Sequence, residues 1–198
     1  ALPPAEVLIR GVFDKSRVTD LIKDFIIFDE EDGKTTKKLS AYHQYYAVME
    51  AVESTREVVP AEDKNRIGVF WHTQGSGKSL SMIFYTKVVR QLDELRNPTL
   101  VFVTDRNDLD EQLHDTFADA DFRTDWADSR DHLRSLLDRE AGGVIVTTIQ
   151  KFQTTDEENG FPTVNERQNV IVVADEAHRS QYKKLAGNLR RALPNASY

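Results

Sequence analysis

The chain has 198 residues, 39% hydrophobic and 30% charged, which suits one well-buried core with a small appendage and excludes a disordered polymer. Its formal charge is −7, so any contact with nucleic acid must be a local basic patch, or the basic surface must come from elsewhere. It contains no cysteine, which excludes disulfides and thiolate metal sites.

Ala1-Leu2-Pro3-Pro4 lacks the positive and apolar regions of a signal peptide, and no apolar run is long enough to span a bilayer. The cytoplasm is therefore the expected compartment, with no membrane partner. The spacing predicts a short helix capped by Ser16 and ending near Asp24, then a strand over Phe25–Phe28. A charged turn follows at Glu30–Lys34, and a Tyr- and Ala-rich helix over Leu39–Val52. Residues 1–38 are expected to be a connection from an upstream domain, and 39–198 one lobe.

From Arg66 the pattern changes. Short β-branched or aromatic runs predict strands at Ile67–Trp71, Leu100–Thr104, Val144–Thr147 and Val170–Ala174. Helices are predicted over Lys78–Leu95, Asn107–Phe117 and Arg130–Glu140. Alternation of this kind predicts an α/β fold with a mainly parallel sheet. Thr154–Asn169 is polar, with Gly160 and Pro162, and is expected to be a long surface loop. The last residues, Ala192–Tyr198, do not resemble a natural C-terminus, and the protein is expected to continue.

Two motifs carry chemistry. Ile67–Trp71 runs into His72-Thr73-Gln74-Gly75-Ser76-Gly77-Lys78-Ser79 and then a helix. Glycines let a backbone turn tightly around phosphate oxygens, and the helix N-terminus adds an anion cradle. Lys78 would face the β- and γ-phosphates, and the Ser79 hydroxyl would face magnesium. The strict pattern wants glycine where His72 stands. The second motif is Asp175-Glu176-Ala177-His178, at the end of the apolar run Val170–Ala174. Carboxylates there sit where open α/β folds bind ligands. Asp175 would hold magnesium, and Glu176 would orient and deprotonate the attacking water.

Asp175–His178 resembles the DEAH box of superfamily 2 helicases and translocases. Together with His72–Ser79, Val103–Leu109, Thr147–Phe152 and Ala174–Ser180, it resembles the motor (R) subunit of type I restriction–modification enzymes. The likeness extends upstream to Asp24–Phe28 and Tyr42–Val48. It implies the first of two RecA-like P-loop lobes, a three-layer α/β fold. The implied reaction is ATP hydrolysis with Mg²⁺, driving translocation of double-stranded DNA. The implied partners are that DNA and the methyltransferase and specificity subunits. Cleavage would belong to a nuclease domain outside these 198 residues. The arginines of a second lobe are also outside them, so the chain alone is expected to turn over little ATP.

The resemblance implies further roles. Thr73, Gly75, Ser76, Gly77, Lys78 and Ser79 would hold the nucleotide, and Gln44 matches a glutamine that reads the adenine edge. Its alternative is an ordinary exposed helical glutamine. Arg106 would contact the DNA backbone, or else form a surface ion pair. Thr147, Thr148 and Lys151 would make a second phosphate contact, or else a helix cap beside a solvated lysine. His178 would link the nucleotide site to these groups. His43, His114 and His132 have no metal spacing, and Trp71 and Tyr85 are expected in the packing. Two rivals remain: another superfamily 2 motor lobe, and a nucleotide-binding scaffold without motor activity.

Overall fold

The computed structural model describes residues 3–31, 34–61, 65–73, 75–105, 117, 122–154, 160–175 and 182–198. Helices α1 (Pro4–Gly11) and α2 (Lys15–Asp24) lead into an antiparallel pair, β1 (Ile26–Glu31) and β2 (Lys34–Leu39). The long helix α3 (Tyr42–Val58) and the phosphate-loop helix α4 (Lys78–Val89) follow. The main sheet contains β3 (Thr99–Thr104), β4 (Thr124–Trp126), β5 (Val144–Thr148) and β6 (Val170–Ala174), in the order β4-β5-β3-β6, all parallel. Helices α5 (Arg130–Leu137) and α6 (Tyr182–Ala192) complete the set among the described residues.

Period-two alternation splits the core into two layers. Leu100 and Phe102 of β3, Val144 and Val146 of β5 and Ile171 of β6 face one way, onto α2, α3 and α4. Val101, Val103, Ile145, Val170 and Val172 face the other way, onto Leu133 and Leu137 of α5 and Leu189 and Ala192 of α6. A parallel sheet must be covered on both faces, and here helices cover both. The result is the three-layer α/β architecture of a RecA-like lobe.

Several elements differ from the sequence expectation. Asp14, not Ser16, caps α2: its carboxylate accepts from the Ser16 and Arg17 N–H groups. Leu39 closes β2, and α3 starts three residues later and runs six past Val52, because its inner face continues through Thr55 and Val58. α4 stops at Val89, short of Leu95, with a 3₁₀ turn over Asp93–Leu95. Left-handed Arg96 and Asn97 then reverse the chain into β3. α1, β4 and α6 were not anticipated. The predicted helix Asn107–Phe117 lies outside the described residues except Phe117, whose ring packs on Phe102 at 5.0 Å.

The expected strand Ile67–Trp71 is not one. Ile67 N–H donates to the Tyr198 carbonyl and Tyr198 N–H to the Asn65 carbonyl, a parallel pattern limited to one residue of Tyr198. The adjacent Ser197 pairs with Ile171 of β6 in the same sense. Beyond Ile67 no ladder is present among the described residues, and Val69 and Trp71 are 78% and 82% exposed. Trp71 is thus not a packing residue, because a strand without a neighbour cannot bury its side chains. Tyr85 is buried as expected, its hydroxyl 2.6 Å from that of Thr55.

Residues 15–27 pack directly into the lobe. Phe25 is fully buried, its ring 4.8 Å from Tyr45 and 5.3 Å from Phe84, and Leu21 and Ile27 join the same cluster. Lys87 also donates to the Ile26 carbonyl, and Gln91 to the Asp24 carboxylate. Truncating Phe25 to Ala is expected to destabilise the chain by about 3–5 kcal/mol, the usual cost of such a deletion. Urea unfolding followed by circular dichroism would check this.

Candidate nucleotide site

The phosphate loop bends at two glycines. Gly75 (φ +78°) and Gly77 (φ +80°) both occupy the left-handed region, which side chains with a Cβ rarely adopt. Among the described residues, a Cβ on Gly75 would meet nothing within 4 Å. The loop closes on itself through Ser76, whose N–H and hydroxyl both donate to the Thr73 carbonyl, at 3.2 and 2.7 Å. Gly77 caps α4, and the Ser81 N–H donates to the Gly77 carbonyl at 3.1 Å. The N–H groups of Lys78, Ser79 and Leu80 therefore lie ahead of the first helical hydrogen bond, at the positive end of the helix dipole. A phosphate suits such a cradle.

α4 is held by what lies behind it. Its buried face includes Ile83, Phe84, Tyr85 and Val89. This face rests on the sheet and on α3, where Thr55 ties the two helices through Tyr85. The first turn of α3 also touches the loop itself. Gln44 is only 4% exposed, which overturns the exposed-glutamine alternative. Its Nε2 donates to the Gly77 carbonyl at 3.0 Å and the Ser76 carbonyl at 3.4 Å, and its Oε1 accepts from the Ala41 N–H at 2.8 Å.

Sequence reasoning missed the imidazoles beside this loop. The His43 ring lies 5.1 Å from that of His72, and its Nε2 is 3.4 Å from the Ser76 carbonyl oxygen. The Phe70 ring packs on His72 at 4.5 Å. The only sequence signal was His72 standing in place of a glycine. Nδ1 of His72 is buried without a hydrogen-bond partner among the described residues. Desolvation lowers the His72 pKa below the ordinary 6.5, and the charges of His43 and Lys78 lower it further.

β6 carries Asp175, the first residue of the second motif, to the C-terminal edge of the sheet. β6 ends at Ala174, and Asp175 N–H donates to the Val103 carbonyl at 2.9 Å. Tyr198 aligns Ile67, on the segment leading to the phosphate loop, in the same sense as this ladder. Glu176 and His178 lie outside the described residues, as does Arg106. Asp105, the last described residue after β3, accepts from Gln150 Nε2 through its carbonyl, at 2.9 Å. Thr147 and Thr148 are both buried at the end of β5, and Lys151 Nζ donates to the Thr148 hydroxyl at 3.5 Å. Of these three, Lys151 alone is partly exposed, in the 3₁₀ turn Ile149–Phe152. Among the described residues no His, Cys, Asp or Glu group is clustered for a metal. None of their helices is long and apolar enough to cross a membrane.

Because the fold favours neutral His72, the unfolded chain takes up its proton first on acidification. Stability from this group is present above pH 6.5 and is lost as pH falls through the lowered pKa. His72→Asn is expected to flatten the slope of stability against pH in that window, as measured by urea midpoints at successive pH values.

Comparison with known proteins matches the geometry. Residues 43–198 match the SWI2/SNF2 ATPase family. The chain is 50% identical over 209 residues to the type I restriction enzyme HindI endonuclease subunit of Haemophilus influenzae, covering 96% of this chain and 20% of that protein. A sequence from Methanocaldococcus jannaschii, provisionally described as the type I restriction enzyme MjaIXP endonuclease subunit, is 42% identical over 196 residues, covering 98% of this chain and 18% of that protein. The type I restriction enzyme SauMSSORF170P endonuclease subunit of Staphylococcus aureus is 28% identical over 184 residues, covering 92% and 19%. The chain spans about a fifth of the length of these relatives. With the matched segment running from the first turn of α3 to the last residue, the chain belongs to the SWI2/SNF2 ATPase family.

Proposed function

We propose that this chain is the nucleotide-binding lobe of an ATP-driven motor on double-stranded DNA, within the endonuclease subunit of a type I restriction–modification system. The observation that carries this reading is the phosphate loop. Two left-handed glycines precede a buried helix whose first N–H groups are left without helical partners. The likeness to type I endonuclease subunits along nearly the whole chain supports the DNA substrate, and the modification and specificity subunits as partners.

In this reading the loop N–H groups of residues 75–80 hold the phosphate tail, and Lys78 neutralises its terminal charge. Ser79 and Asp175 would hold Mg²⁺, a hard cation suited to hydroxyl and carboxylate oxygens, which supplies charge stabilisation at the phosphates. Glu176 orients the attacking water and accepts its proton. His178 links this site to the DNA-facing groups. Arg106 and Lys151, each following a strand end, supply cations to the DNA backbone. Thr147 and Thr148 line the floor beneath Lys151. In the intact subunit a separate nuclease domain cuts the DNA.

The rival reading, a nucleotide-binding scaffold without motor activity, predicts no stimulation by DNA. In the full-length protein, ATPase activity is expected to rise on adding duplex DNA, and Lys78→Ala is expected to abolish it. Retained DNA-stimulated turnover in Lys78→Ala would refute the phosphate assignment. Glu176→Gln is expected to keep ATP binding while lowering turnover by about 10²-fold or more, since an amide cannot take the proton. Equilibrium nucleotide binding measured beside steady-state turnover separates the two effects. A loss of affinity parallel to the loss of rate would give Glu176 a binding role instead.

A further inference from the structure

We propose that Asn188 is a positioning residue that makes α6, the helix following the acidic motif, and the turn carrying Lys151 move as one piece, so that nucleotide at the acidic motif changes the grip on DNA at Lys151. The proposal rests on the motor reading given above.

α6 turns an apolar stripe toward the core, with Leu185, Leu189 and Ala192 at helical spacing. Asn188 stands in the same stripe, beside Leu189, and is only 7% exposed. A leucine there would pack with its neighbours, whereas a buried amide is unfavourable unless it is bonded. The bond goes to one atom: Asn188 Nδ2 donates to the Phe152 carbonyl at 2.8 Å. Apolar contact has no preferred direction, so the stripe alone would allow α6 to slide or roll on the turn. A hydrogen bond holds one distance and one angle. A single polar group in an apolar contact is a known means of fixing register. Asn188 fixes the register of α6 on the turn Ile149–Phe152.

The turn is built to pass that register outward. Ile149 and Phe152, at its two ends, are buried, and the Phe152 ring lies 5.4 Å from that of Phe161. Gln150 and Lys151 between them reach the surface. A shift of α6 must therefore move the Phe152 peptide or break its bond to Asn188. Moving that peptide moves Lys151, the residue before it. It also pulls on Gln150, which holds the Asp105 carbonyl at the exit of β3. The Gln150 bond is exposed, and water can replace it. The Asn188 bond is buried, and its loss leaves the Phe152 carbonyl without this donor. Asn188 is thus the firmer of the two polar ties on the turn.

The test uses the full-length protein, a labelled duplex DNA and a non-hydrolysable ATP analogue. The readout is the factor by which the analogue changes duplex affinity. By linkage the duplex changes analogue affinity by the same factor, so each titration checks the other. Asn188→Leu keeps the size of the side chain and removes its donor. It is expected to bring the factor toward one by about 2- to 30-fold, the range seen for substitutions in coupling elements. Analogue affinity without DNA is expected to stay that of the wild type. Should the leucine variant fail to fold, Asn188→Ala removes the same donor without branched bulk and gives the same readout. Variants that keep the wild-type factor overturn the proposal, even where both ligands bind more weakly, because a merely structural bond would act in that way. A wild-type protein whose duplex affinity ignores the analogue overturns it as well. A wild-type protein that binds neither ligand overturns the motor reading, and this proposal with it.

Discussion

Parallel pairing about β3 is the constraint on which the rest of this lobe depends. Parallel strands deliver all their exits to one edge, and every return must cross a face of the sheet. β3 lies between β5 and β6, so the strand ends Thr104, Thr148 and Ala174 lie side by side. Asp175, Asp105 and the turn Ile149–Phe152 are neighbours for this reason. Gln150 joins two of these exits with one hydrogen bond to the Asp105 carbonyl.

The two faces are packed by different means. On one, α4 has no exposed residue because it is enclosed by the sheet and α3, with a Thr55–Tyr85 hydroxyl contact in the middle. Burial pushes the Tyr85 hydroxyl pKa up to about 12, so it stays a neutral bonding partner. On the other, α5 and α6 are amphipathic and present one stripe each to the core. Asn188 of α6 donates to the Phe152 carbonyl at 2.8 Å. That buried bond seats the helix following the acidic motif on the turn that carries Lys151.

The entry to the phosphate loop shows what a strand needs besides composition. Ile67–Trp71 has as suitable a run of β-branched and aromatic residues as Val170–Ala174. Val170–Ala174 is a strand and Ile67–Trp71 is largely exposed, because among the described residues only Tyr198 offers the latter a ladder partner. Backbone N–H and C=O groups gain a ladder from neighbours, and side chains gain burial from covering layers. Neither is a property of the run itself.

The turn of the candidate loop was legible in the chain. Glycines at 75 and 77 ahead of Lys-Ser predict a left-handed bend before a helix, and the end of the apolar run at Ala174 predicts the end of β6, because backbone freedom and strand termination are short-range properties. The three buried strands around β3 were legible for the same reason: doubly covered strands are continuously apolar. The tertiary structure decided what local pattern cannot express. α6 and β4 are too polar or too short to stand out. The packing of Phe25 against Phe84, the imidazole pair of His43 and His72, and the grip of Gln44 on the Ser76 and Gly77 carbonyls each join residues 29 to 59 positions apart. Such contacts are set by how α3 lies on α4, and only the folded chain contains that information.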